Sequence, residues 1–149
     1  CSIPLHRGSD GFMSTKQFET FYWPQLKALL LRLIEGGVTP SVFYEGVYDG
    51  RLQYLRELPP SRTIGRFDRS NLFRVKQVVG DVMCIQGGFP VSLLTNGTPD
   101  EIRTLTKEFC EVGGRSGGFI MSTNTSMHEC RGDLVKAWVD ATREYSVYG

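Results

Sequence analysis

The chain has 149 residues, of which 40% are hydrophobic and 22% charged, and its formal net charge is +1. That composition is the one expected of a globular protein, and so even a charge balance lacks the concentrated basic surface that nucleic acid binding needs. The longest apolar run, Ala28 to Leu31, is broken by Arg32 and is far too short to span a bilayer.

No secretory or organellar targeting pattern is visible in the sequence. The four cysteines, Cys1, Cys84, Cys110 and Cys130, have no metal-binding spacing and are expected to be reduced thiols in a cytoplasmic protein. The glycosylation patterns at Asn96 and Asn124 are then expected to be chance matches. A start at Cys1, without methionine and inside an apparent loop, leads us to expect a fragment of a longer protein.

In chain order, residues 1–13 read as a polar, glycine-containing loop. A long helix is expected over residues 14–35, opened by a Ser14/Gln17 capping box and closed by Gly36-Gly37. Its core-facing positions would be Phe18, Phe21, Tyr22, Leu26, Leu29, Leu30 and Leu33, with a kink or a fresh start at Pro24. A short strand follows at 42–45, then a loop at 46–50 and a short helix near 51–57. The second strand is expected over 63–67, with Asp68 and Ser70 able to cap a helix at 71–79.

The third strand covers 82–86 and opens into a glycine-rich turn. The next helix, over 98–112, starts with Thr at the N-cap, Pro at the first position and Glu at the third. Paired glycines at 113–114 and 117–118 bracket a turn into the fourth strand, 119–121, and the last helix runs from about 132 to 145. Strands alternating with helices at this spacing imply an α/β protein with a parallel sheet. The pattern alone fits either a small open sheet or about four βα units of a closed barrel.

In parallel α/β folds ligands collect at the C-terminal ends of the strands, because those loops share one face. The first strand end offers Tyr44, Glu45 and Tyr48; the second, Asp68 and Arg69; the third, Gln86, Gly87 and Gly88; the fourth, Ser122, Thr123, Asn124 and His128. Each has a plainer reading: Asp68 as a helix cap, Arg69 and His128 as surface groups, the two glycines as a tight packing turn. Glu45 is the sharpest candidate, since a carboxylate that ends an apolar strand is costly to bury without purpose. A metal trio of Glu45, Cys84 and His128 is conceivable, but Cys84 is placed within a strand.

Three segments carry a family resemblance: CIQGGFPVSLLTNGTPDEI (84–102), RFDRSNLFRVKQVVGD (66–81) and GGFIMSTNTSMHECRGDLVKAWVDATREYS (117–146). They resemble the uroporphyrinogen decarboxylase superfamily, which includes heme-pathway decarboxylases and corrinoid-dependent methyltransferases. The resemblance implies the C-terminal half of a TIM (β/α)8 barrel, with the four expected strands as strands five to eight. It also implies an enzyme, in the full-length parent, working at the barrel mouth. The isolated stretch would be inactive and would dimerise or contact the missing N-terminal half.

In the decarboxylases, which act on a tetrapyrrole, the last strand typically ends in a histidine, and the matching residue here is Asn124. An amide hydrogen-bonds a carboxylate but is no general acid. In the zinc methyltransferases a His-x-Cys pair and a further Cys hold the metal, and the aligned residues are Phe43, Glu45 and Asn124. Both ligand sets are thus replaced. The resemblance favours corrinoid-linked methyl transfer slightly, with a small corrinoid protein as partner, zinc only if Glu45 or His128 serves as an oxygen or imidazole ligand, and catalytic roles for Glu45 and Asn124. Tetrapyrrole decarboxylation and a non-catalytic assembly module are the alternatives.

Overall fold

Five parallel strands lie side by side in the order in which the chain makes them, each joined to the next through helix on one face of the sheet. The computed structural model describes residues 2–147, so Cys1 lies outside it. The strands are β1 (Ser2–Leu5), β2 (Ser41–Tyr44), β3 (Ile64–Phe67), β4 (Cys84–Gly87) and β5 (Phe119–Ile120). The helices are α1 (Thr15–Gln17), α2 (Trp23–Glu35), α3 (Leu52–Leu55), α4 (Leu72–Val79), α5 (Val91–Asn96), α6 (Pro99–Phe109) and α7 (Gly132–Tyr145).

One strand more is present than the sequence pattern indicated, because residues 2–5 form β1 rather than loop. Pro4 is tolerated because, among the described residues, β1 pairs with one neighbour, β2, and needs only alternate N–H groups for it. The register sets Leu5 beside Tyr44, Tyr44 beside Phe67 and Phe67 beside Gly87. In a strand, successive side chains point to opposite faces. Val42, Tyr44, Gly65, Phe67, Ile85 and Gly87 are buried and face the helices, whereas Phe43, Ile64, Arg66, Cys84 and Gln86 are half-buried and face away from them.

The first long helix does start afresh at Pro24, but by an unforeseen device. Its Ser14/Gln17 capping box forms as expected. A π-helical turn, Phe18–Tyr22, then intervenes, and α2 begins at Trp23 with Pro24 in its first turn, where a missing N–H costs nothing. The wider turn shifts the buried face. Phe18, Trp23, Leu26, Leu30 and Ile34 are buried, a spacing of five residues followed by ordinary helical steps. Phe21 and Leu29, both expected in the core, are 72% and 48% exposed.

Helix α6 matches its expected start, with the complete Thr98/Glu101 capping box and Pro99 in the first turn. It gives way at Cys110 to a second π-helical turn, Cys110–Gly114. Thr98→Ala should lower stability by about 1 kcal/mol, read as a drop in urea midpoint with an unchanged slope. Helix α5 was not foreseen; its six residues fall in what read as the glycine-rich turn. Cys84, Cys110 and Cys130 are free thiols. Among the described residues, no helix is long and apolar enough to cross a membrane.

Candidate functional site

The C-terminal edge of the sheet brings His6, Glu45, Asp68, Gly88 and the Thr123–Asn124 turn to one rim, since each follows directly on a strand or its bridge. Alternation places the first three on the face away from the helices, one step above Pro4, Phe43 and Arg66. His6 Nδ1 and a Glu45 carboxylate oxygen are hydrogen-bonded to each other across β1 and β2. Both are substantially exposed, at 66% and 43% of their side chains, and therefore accessible to a ligand. His6 was missed in the sequence because residues 1–13 read as loop. The available signal was the Ile3, Leu5 alternation running straight into a histidine.

The loop that carries His6 is pinned from below. Arg51, only 2% exposed, points its guanidinium Nη2 at the Met13 carbonyl (2.7 Å) and sits over the Phe18 ring at 4.6 Å. Its Nε lies 3.3 Å from Asp10, whose other oxygen accepts the Gly50 N–H at 2.8 Å. Gly8 packs so tightly that an added Cβ would collide with the Tyr48 hydroxyl and lie 2.7 Å from the Tyr22 ring.

Asp68 and Ser70 prove to be braces for the β2 loop. Asp68 accepts the Gly46 N–H at 3.1 Å and Ser70 Oγ accepts the Tyr48 N–H at 2.8 Å, while Asn71 caps α4 through the Arg74 N–H. The expected helix-capping roles of Asp68 and Ser70 are therefore corrected: loop donors nearer to hand take their oxygens.

Tyr44 and Tyr48 do not line the rim. Both are fully buried on the helical side, with Tyr44 stacked on Phe67 at 4.9 Å and edge-on to Tyr48 at 5.1 Å. Their placement as ligand contacts is corrected by the strand alternation that turns Tyr44 towards the helices. Burial pushes both hydroxyls well above the usual tyrosine range, with neighbouring Tyr22 adding to the effect. Because the folded values exceed the unfolded one, near 10, the stability they add is full below that pH and is lost as pH climbs through the folded values. An alkaline spectrophotometric titration should show Tyr44 and Tyr48 ionising only as the protein unfolds.

Gln86 lies on the open face in register with Arg66. Gly87 and Gly88 have φ of 101° and 93°, a left-handed conformation that only glycine adopts without strain. A Cβ on Gly88 would press on Leu72 at 3.2 Å, so the pair is required by the turn itself. Asn124 ties β5 to α5: its side-chain oxygen accepts the Val91 N–H at 3.0 Å and its own N–H reaches the Phe89 carbonyl at 2.8 Å. Ser122 accepts the Phe89 N–H through its carbonyl at 3.2 Å, and Thr123 is buried with its hydroxyl on the Thr125 carbonyl. Arg69 and His128 are exposed, Arg69 at the rim and His128 in the loop before α7.

Glu45, Cys84 and His128 are not brought together. Among the described residues, no three His, Cys, Asp or Glu side chains cluster as a metal would need. A groove of about 1000 Å³ does exist between α3 and α4, lined by Asp49, Gln53, Arg56, Asn71 and Arg74, and none of the rim residues His6, Glu45 and Asp68 lines it.

Comparison with known proteins places this geometry. The family model described as uroporphyrinogen decarboxylase (URO-D) matches residues 3–145. Among solved structures, a methyltransferase from Methanosarcina mazei is similar, with a TM-score of 0.76 at 18% identity over 98% of this chain. The chain spans 42% of that structure's length. At that identity the likeness concerns the fold, which is part of a βα barrel. No curated protein matches the chain.

Proposed function

The chain belongs to the uroporphyrinogen decarboxylase family, and from that premise we propose that its complete protein is a corrinoid-dependent methyltransferase working at the rim of a closed barrel. The observation that carries the reading is the His6–Glu45 pair, exposed at the ends of adjacent strands on the face turned away from the helices. The fold-level likeness to a protein named a methyltransferase supports the same choice.

A corrinoid brought by a partner protein would supply or remove the methyl group. The chain's own residues bind the small molecule that exchanges it and manage the proton. An oxygen that gives up a methyl group must take up a proton, and an oxygen or thiol that receives one must lose it. Imidazole is the side chain suited to either task near neutral pH. Glu45 holds the Nδ1 side of the ring and so leaves Nε2 towards the ligand. Asp68 supports the pair indirectly by fixing the backbone at Gly46.

Zinc does not fit the residues present. Phe43 has no donor, the side-chain oxygen of Asn124 is occupied by the Val91 N–H, and no three-donor cluster forms among the described residues. The decarboxylase reading loses support for a related reason: the residue at the expected histidine is an amide engaged in holding α5.

A titration of the full-length protein with hydroxocobalamin, run beside uroporphyrin, tests the proposal. Corrinoid binding that is preferred over the porphyrin, with methyl transfer that falls in Glu45→Gln, is the expected result. Tight porphyrin binding without corrinoid binding would restore the decarboxylase, and binding of neither would leave the assembly-module alternative.

A further inference from the structure

The open face of the sheet holds a cation one step below the rim. Pro4, Phe43, Arg66, Gln86 and Ile120 share one register line across the five strands. Arg66 is half-buried and rests with its guanidinium 5.1 Å from the centre of the Phe43 ring. The two carboxylates nearest above it in the strand ladder are already engaged, Glu45 with His6 and Asp68 with the Gly46 N–H. Among the described residues, no carboxylate forms an ion pair with Arg66. A half-buried guanidinium with no counter-charge among the described residues is costly, so such a group calls for an anion.

We propose that Arg66, with Gln86 beside it, binds the carboxylate of a small organic substrate within the barrel. The proposal deepens the reading of the rim as the ligand-binding end and rests on that reading for its location. The guanidinium offers a planar fork of N–H donors that matches a carboxylate, and the Gln86 amide is placed to donate a further hydrogen bond. The remaining members of the line, Phe43, Ile120 and Pro4, are apolar and suit the body of an organic acid. A doubly charged phosphate is a poorer occupant, because Glu45 and Asp68 stand one step above. Bound in this way, the far end of the molecule points up towards His6 and Glu45.

The test uses the full-length protein with sodium butyrate as the probe and 1-butanol as its uncharged counterpart, followed by ligand-observed NMR. Saturable butyrate binding that 1-butanol does not displace is expected, weakened about tenfold or more in Arg66→Met and less in Arg66→Lys. Unchanged thermal stability of both variants keeps the comparison fair. Absence of butyrate binding, or equal binding by Arg66→Met, would overturn the proposal. So would a severe loss of stability in Arg66→Met, because a carboxylate elsewhere in the protein would then already neutralise the arginine. Butyrate binding needs no corrinoid, so failure here and failure of the methyl-transfer reading are told apart.

Discussion

Replacing His6 by Gln should lower turnover by the full-length protein about 10²–10⁴-fold, with KM nearly unchanged, because under the proposed function the imidazole transfers the proton at the rim. Glu45→Gln should cost less, since a neutral amide can still accept from the ring and hold its orientation. The double variant should be no slower than His6→Gln alone, as befits groups that act as a unit. Independent, multiplicative losses would show instead that the two residues serve separate ends. Initial rates of the two single variants and the double variant decide the matter. A His6→Gln enzyme of full activity would remove the pair from the mechanism.

Arg51→Ala should destabilise the fold by about 1–3 kcal/mol, the range for leaving a buried polar group without its partner. The substitution abandons Asp10, frees the Met13 carbonyl and empties the space over Phe18. Lysine should recover only part of the loss, since it lacks the fork that reaches both Asp10 and the carbonyl. The loop over residues 6–13 should lose amide hydrogen-exchange protection first, and the turnover that depends on His6 should fall even at temperatures where the sheet stays folded. If Arg51→Ala unfolds the whole chain in one step with no earlier loosening of that loop, the brace is part of the core and not a local support.

Much of the architecture was legible because its signals are local. The Thr98/Glu101 and Ser14/Gln17 boxes each announce a helix start within four residues, and both form. The final helix, Gly132–Tyr145, ran as its pattern indicated. What could not be read depended on pairing across the chain. Strand β1 contains a proline and only two inward apolar residues, and it becomes a strand because Ser41–Tyr44 offers it a ladder. The π-helical turn at Phe18–Tyr22 breaks the helical period, so Phe21 was assigned to the core and lies in solvent.

The rim was half legible for the same reason. Glu45 and Asp68 were placed at strand ends, but the face on which each residue lies is fixed by register, and a shift of one residue reverses it. Tyr44 was therefore drawn to the rim when its ring belongs on Phe67. His6 could not be joined to Glu45 before β1 was known. Asp68 and Asn124 read as ligand contacts because their hydrogen-bond partners, Gly46 and Val91, are 22 and 33 residues away in the chain.

The π-helical turn at Phe18–Tyr22 also works as a phase joint. An α-helix advances about 100° per residue, so a one-residue surplus lets the segments before and after it face directions that an unbroken helix could not reconcile. Upstream, Phe18 seats under Arg51; downstream, Trp23, Leu26, Leu30 and Ile34 are buried in the core between helix and sheet. Deleting a single residue between 19 and 21 would rewind the helix and force one of those two faces to swing away from its seat. Length in this stretch is consequently held more tightly than side-chain identity, and exposed Phe21 can be exchanged where it cannot be lost.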